Sequence, residues 1–238
     1  MVYPCQVCSH KGNTMAQVQK IPVSPVPASQ DDSLAQKIWG LDWHQHFPKT
    51  LTTDIEVDRI SALDAWPLIL NLFPEVYHRD NSENRFKDEE STEAKQRYYE
   101  VIGDFFVFKD QTKNHNVIGM AVGTLLDWSS YNFRNISVHP DYQNLGLYPL
   151  FFDYLAGVMQ AHGLRRVEGD VAPSNQHHLH VLNKMGCVVS SLGYSERWGV
   201  LLHMTRYLND QDRERCARLF SMTASSDIAA MKRLDSKK

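Results

Sequence analysis

Cysteine is scarce in this chain. Four in 238 residues, Cys5, Cys8, Cys187 and Cys216, are too few for a disulfide framework at this length. Long apolar runs are missing too, and nothing reaches the length needed to span a bilayer. The N-terminus lacks the basic start and apolar middle of a secretory leader. Nor does one sign of charge dominate. Lys and Arg number 25 against 28 Asp and Glu, a net charge of -3, so no global basic field points to nucleic acid. What remains is the expectation of a cytoplasmic chain with no membrane or nucleic-acid partner. Its 42% hydrophobic content suffices for one buried core with extensions.

The first 32 residues read as a flexible tail. Between 21 and 30 stand three prolines without a helical period. Cys5 and Cys8 have the Cys-x-x-Cys spacing of half a zinc site, but no second pair follows, so no metal is assigned. A short helix is predicted from 33 and a strand over 54–60, where apolar and charged residues alternate. Ser61 or Asp64 can cap the next helix. Residues 78–91 read as a loop or lid, and a second helix fits 92–102.

Three strands are then expected, 104–109, 117–126 and 133–139, with connections short enough for an antiparallel meander. A long amphipathic helix covers 148–162 and Gly163 closes it. A strand at 166–171, a helix from about 175 to 185, and strands at 187–194 and 200–207 complete the core. The order implies an α/β (α+β) fold with a mixed, mostly antiparallel sheet and one parallel pair around the long helix. A domain over 33–208 is therefore expected, followed by a charged, partly helical tail over 209–238.

The segment 136–148 carries the chemistry. It is a strand, a proline-terminated turn, and a glycine loop feeding a helix. Unpaired N–H groups and the dipole at such a helix start suit a phosphate. Val138, Pro140, Gln143 and Gly146 resemble motif A of the GNAT acetyltransferases, Val-x-Pro followed by Arg/Gln-x-x-Gly-x-Gly/Ala. Pro173, Ser174 and Asn175, with Asn183, Lys184 and Gly186, resemble motif B. The likeness covers roughly 54–208.

That resemblance implies an N-acetyltransferase moving an acetyl or other short acyl group from coenzyme A to the amine of a small-molecule acceptor. Acetyl-CoA would be held by main-chain groups of Gln143, Asn144, Leu145, Gly146, Leu147 and Tyr148. Ile136, Ser137 and Val138 would splay from the neighbouring strand to meet the pantetheine arm, and Asn175 would bond to it. The Val138 N–H would serve as oxyanion donor. The amine attacks directly, without a covalent enzyme intermediate.

Three positions depart from the pattern. Tyr148 stands where Gly or Ala is usual. Leu182 stands where many members place the tyrosine that protonates the thiolate. Asn132 falls near the usual glutamate base. His178, with His177 and His180 nearby, is the candidate replacement, since it shares a helix face with Asn175 and Leu182. The plainer reading is a solvated helix face. Asp127, Trp128, Tyr131 and Asn132 form a cluster that lines an acceptor pocket on one reading, while turn chemistry explains Asp127 equally well. Glu168 and Asp170 face the acceptor or solvent, with solvent favoured for at least one. Trp198 walls the site or fills the core, and Cys187 reads as a small buried hydrophobe.

Two other functions stay open. One is a transferase using an acyl carrier protein, for which Arg165 and Arg166 are the only basic candidates near the pantetheine entrance. The other is a coenzyme A-binding module without catalysis. A homodimer is allowed, though nothing in the sequence requires it.

Overall fold

Phe105, Phe106, Val107 and Phe108 are all buried, and a strand without a polar side needs cover on both faces. The computed structural model, which describes residues 34–72, 92–195 and 199–220, supplies that cover. Its first half runs α1 (Leu34–Trp39), β1 (Lys49–Thr50), β2 (Ile55–Ile60), α2 (Ala62–Leu72), α3 (Thr92–Ile102), β3 (Gly103–Asp110) and β4 (Asn116–Asp127). Then come β5 (Ser130–Val138), α4 (Leu147–Ala161), β6 (Arg166–Val171), α5 (Gln176–Lys184), β7 (Val188–Ser195), β8 (Gly199–Tyr207) and α6 (Asp210–Phe220).

The strands form one sheet in the order β1-β2-β3-β4-β5-β6-β8-β7. Every pairing is antiparallel except β5 with β6, which α4 connects. This is the mixed sheet expected. Two details differ. The short β1 had no sequence signal, and β5 begins at Ser130, ahead of the expected 133, because Ser130 and Tyr131 already pair with β6. The open choice of cap for α2 falls to Ser61, whose Oγ accepts from the Asp64 N–H at 3.1 Å.

The sheet separates two cores. Phe106, Phe108, Tyr131, Phe133 and Val167 pack with Phe151 and Leu155 of α4 on one face. Phe105, Val107, Met120 and Val122 pack with Leu68 of α2 on the other, where Tyr99 of α3 joins them. Tyr131 crosses between strands to donate its hydroxyl to Asp104 Oδ2 at 3.0 Å. Its ring can lie there only because residue 123 is glycine. A Cβ on Gly123 would stand 2.2 Å from the Tyr131 hydroxyl.

Gly123→Ala is therefore expected to overpack a ring that cannot retreat. The loss should be about 1–3 kcal/mol, a melting midpoint lower by roughly 3–10 °C. An unchanged midpoint in a thermal melt would place the Tyr131 ring elsewhere.

Candidate active site

β5 and β6 pair over three residues only: Ser130 with Arg166, Tyr131 with Val167, and Asn132 with Glu168. Beyond that step β5 runs on to Val138 and β6 to Val171 with no ladder between them. The cause is local. In β5, Asn135 faces Val122 while Phe133 faces Gly123, so Arg134 is an extra residue that bends the strand. The outer edge of β5 is thus left open from Phe133 onward. His139 N–H donates to Ile118 O of β4 at 2.7 Å. By strand alternation the main-chain groups of Ser137 also face β4, and those of Ile136 and Val138 face the opening. Of the three predicted strand residues, two present their N–H groups to the gap.

The loop after β5 is pinned from below. Pro140–Tyr142 forms a 3-10 turn. The Tyr142 hydroxyl donates to Asp110 Oδ2 at 2.6 Å and accepts from Lys113 Nζ at 2.8 Å. Hydrogen bonds from Thr112 and then from Tyr142 hold the Asp110 carboxyl down to about 2. Gln143 turns its side chain back, with Nε2 donating to Val138 O at 3.0 Å. Asn144 and Gly146 both adopt left-handed backbone, at φ 64° and 74°.

Helix α4 then starts without a side-chain cap. Residues 143–146 are exposed, and a Cβ on Gly146 would meet nothing within 4 Å. Exposed loop, uncapped dipole and open space above the glycine together fit an anionic group such as a pyrophosphate. Pro149 withholds no useful donor in that first turn.

Tyr148 turns away from this loop. Its ring packs edge-on against His178 of α5, with centroids 5.4 Å apart, and its hydroxyl lies 3.3 Å from His178 Nε2. Burial, and to a lesser extent Cys187, pushes the Tyr148 hydroxyl pKa well up. Burial and then His177 pull the His178 pKa down. Both groups are therefore neutral partners near pH 7. Asn175 caps α5 and accepts from the His178 N–H at 3.2 Å, which leaves its amide NH2 uncommitted to the cap. Leu182, by contrast, is part of the core against α4. Its departure from the usual tyrosine makes it a packing residue, and the hydroxyl nearest His178 comes from Tyr148 instead.

The opposite face of the sheet is polar at the same place. By register Asn132 and Glu168 lie side by side there, and Asp170 pairs across to His203 of β8. His203 drew no attention in the sequence, although β8 alternates Leu202 and Met204 with His203 and Thr205. Asp127 takes the turn role foreseen as the alternative to a pocket wall, and adds an ion pair that was not foreseen. It makes the turn by accepting from Ser129 N–H at 2.7 Å, and it binds Arg166 at 2.7 Å. Trp128 is exposed, Cys187 is buried with its thiol pushed up to about 12 by burial, and Trp198 lies outside the described residues, as do Cys5 and Cys8. Arg165 precedes β6 and Arg166 begins it, at the end paired with β5; Arg165 binds Asp212, and Arg166 binds Asp127 and Glu168.

The model of the Acetyltransferase (GNAT) family matches residues 66–187, just over half of the chain. The chain belongs to that family. It is an acetyltransferase, and the match spans the open strand, the glycine loop, α4 and α5. Among solved structures it is similar to a protein of Acinetobacter baylyi assigned provisionally as an acetyltransferase (13% identity, 66% of this chain and 94% of that one, TM-score 0.50). It is also similar to the yncA protein of Salmonella typhimurium with acetyl-CoA bound (16%, 66% and 96%, 0.49) and to a spermidine N-acetyltransferase variant of Vibrio cholerae (17%, 66% and 95%, 0.48). No curated protein matches the chain. Among the described residues of this acetyltransferase no helix is long and apolar enough to cross a membrane.

The Tyr148–His178 pair has a measurable consequence. In an NMR titration the His178 ring should change charge below the ordinary value of 6.5. A folded-state value below the unfolded one means that stability is lost as pH falls through 6.5 toward the folded midpoint. His178→Gln should lack that part of the pH dependence. A midpoint at or above 6.5 would show that the ring is not buried against Tyr148.

Proposed function

We propose that this acetyltransferase carries an acetyl, or another short acyl group, from a coenzyme A thioester to the amine of a small-molecule acceptor. One observation carries the reading: the open edge of β5 beyond Asn132 leads directly to the uncapped, exposed start of α4. A ligand with an extended amide-bearing arm and an anionic end matches those two features in sequence. Bound acetyl-CoA supplies the acyl group already activated as a thioester.

The chain's own groups then have distinct tasks. Main-chain N–H groups from Asn144 to Tyr148 hold the pyrophosphate, the Gln143 N–H being already donated to Pro140 O at 3.2 Å, and Ile136, Ser137 and Val138 line the arm. The Val138 N–H faces the gap and donates to a carbonyl oxygen as negative charge builds on it. Asn175 offers its amide NH2 from the α5 cap. His178, held neutral against Tyr148, relays the proton shed by the attacking amine to the departing thiolate, a task Leu182 cannot perform. A carrier-protein donor is disfavoured, because Arg165 and Arg166 are committed to carboxylates at the far end of β6.

Calorimetry with acetyl-CoA tests the cofactor half. The wild type should bind, and Gly146→Val should lose at least about tenfold in affinity, since a β-branched residue resists φ near 74° and fills the space above the loop. No heat on titrating the wild type would end the proposal. For the catalytic half, thiol release is followed with a panel of primary amines. His178→Ala should lower kcat by about 10²-fold or more while acetyl-CoA affinity stays within twofold. A wild-type kcat in that variant would remove His178 from the mechanism.

A further inference from the structure

The acceptor has no place yet, and one cluster beside the opening is unused. His203 projects from β8 between two carboxylates of β6. Its Nδ1 lies 2.8 Å from Asp170 Oδ1 and its Nε2 lies 3.4 Å from Glu168 Oε2. The Glu168 side chain is only 7% exposed, that of His203 is 22% exposed and that of Asp170 44%. Glu168 also binds Arg166, which binds Asp127. Two carboxylates, Glu168 and Asp127, thus share one guanidinium, and Asp170 adds a third carboxylate beside the imidazole.

Its position gives that charge a use. Glu168 is the last residue of β6 to pair with β5, so it stands where the opening closes. On the other face that point is sealed by Tyr131, Phe133 and Val167 against α4. An incoming molecule must therefore cross the polar face. Asn132, beside Glu168 in register, has its Oδ1 shielded from solvent and without a partner among the described residues. Such an oxygen calls for an N–H donor. With Nδ1–H donated to Asp170, Nε2 is the ring nitrogen left to face Glu168.

We infer that the acceptor is a cationic amine, seated over Asn132 and Glu168, and that His203 Nε2 takes the proton that converts its ammonium to the free amine. The inference rests on the acetyl-transfer reading above. The ammonium R–NH3+ gives one proton to His203, leaving R–NH2. The free amine then advances along the open edge of β5 to the thioester at Val138, six residues or roughly 20 Å further; there the nitrogen forms a bond to the acyl carbon as the carbon–sulfur bond breaks, and the second amine proton ends on the sulfur as thiol. The imidazolium, held by Glu168 and Asp170, returns its proton to water along its exposed edge. Glu168 and Asp170 are positioning residues in this scheme.

The test needs no turnover in its first arm. 1,4-Diaminobutane is titrated into the wild type while the His203 ring is followed by NMR, with 1,4-butanediol as neutral control. The diamine should shift the His203 signals and the diol should not. A diamine that leaves them unmoved overturns the inference.

In the second arm, His203→Ala and Glu168→Gln are assayed with the amine panel across pH, after melting curves confirm that they fold. The groups facing His203 are Glu168, Asp170 and, through Glu168, Arg166; Asp127 and Tyr207 flank that arginine. His203→Ala should lose at least about 100-fold in kcat, lose the wild-type pH dependence, and regain activity with added imidazole. Glu168→Gln should raise KM for the amine about tenfold or more with less change in kcat. Full activity in both variants overturns the inference; should either fail to fold, the wild-type titration decides. Acetyl-CoA binding separates the two ideas. Variants that bind it normally but behave like the wild type sink only the acceptor assignment, whereas a wild type that does not bind it sinks the parent reading.

Discussion

Main-chain hydrogen bonding is the constraint on which this molecule turns. From Phe133 to Val138, β5 is paired on one side by β4 and has no strand on the other. Buried or half-buried N–H and C=O groups are costly without partners. An extended molecule with amide groups of its own can complete such an edge as a missing strand would. The extra residue at Arg134 creates the gap, and the short three-step ladder to β6 keeps the two strands from drifting apart altogether. A straight β5 would have closed the ladder and left no site.

The second element of the site depends on the first. Because β5 ends at the gap, the loop leaving it and the first turn of α4 stand over the same opening. That loop is not free to wander. Tyr142 ties it to Asp110 at the end of β3, and Gln143 ties it to the Val138 carbonyl. The left-handed residues Asn144 and Gly146 then aim the chain into α4 without any side chain covering the helix start. Positive potential comes from the backbone itself, so even a chain of net charge -3 has a helix start whose dipole favours an anion.

The two faces of the sheet divide the remaining work. Toward α4 the residues are aromatic and aliphatic, so that face excludes water and buries Leu182 and most of Tyr148. Toward the other side the same strands show Asn132, Glu168, Asp170 and His203. Titratable side chains thus lie on both sides of one opening, with Tyr148 and His178 on one side and Glu168 and His203 on the other. The departures from the family pattern fit this division. A tyrosine lost from α5 is matched by one gained on α4, and the asparagine in place of a glutamate on β5 sits beside a glutamate on β6.

Much of the fold was legible because its signals are local. Alternation marked β2, an apolar run marked β3, a 3.6-residue period marked α4, Gly163 and Gly186 marked helix ends, and the spacing from Val138 to Gly146 marked the loop. Their sum also determined the family and the parallel pair. Side-chain partnerships across strands were not legible, because they depend on register, and register is set by bulges and by turns that composition does not report. The extra residue at Arg134 looks like any other strand residue in the sequence. The meeting of Tyr148 with His178, and of Asp170 and Glu168 with His203, joins residues 30 to 35 positions apart that only the packed sheet brings within hydrogen-bond reach. Local chemistry is written in order along the chain, whereas a charge cluster exists only once burial has chosen which faces of which strands lie side by side.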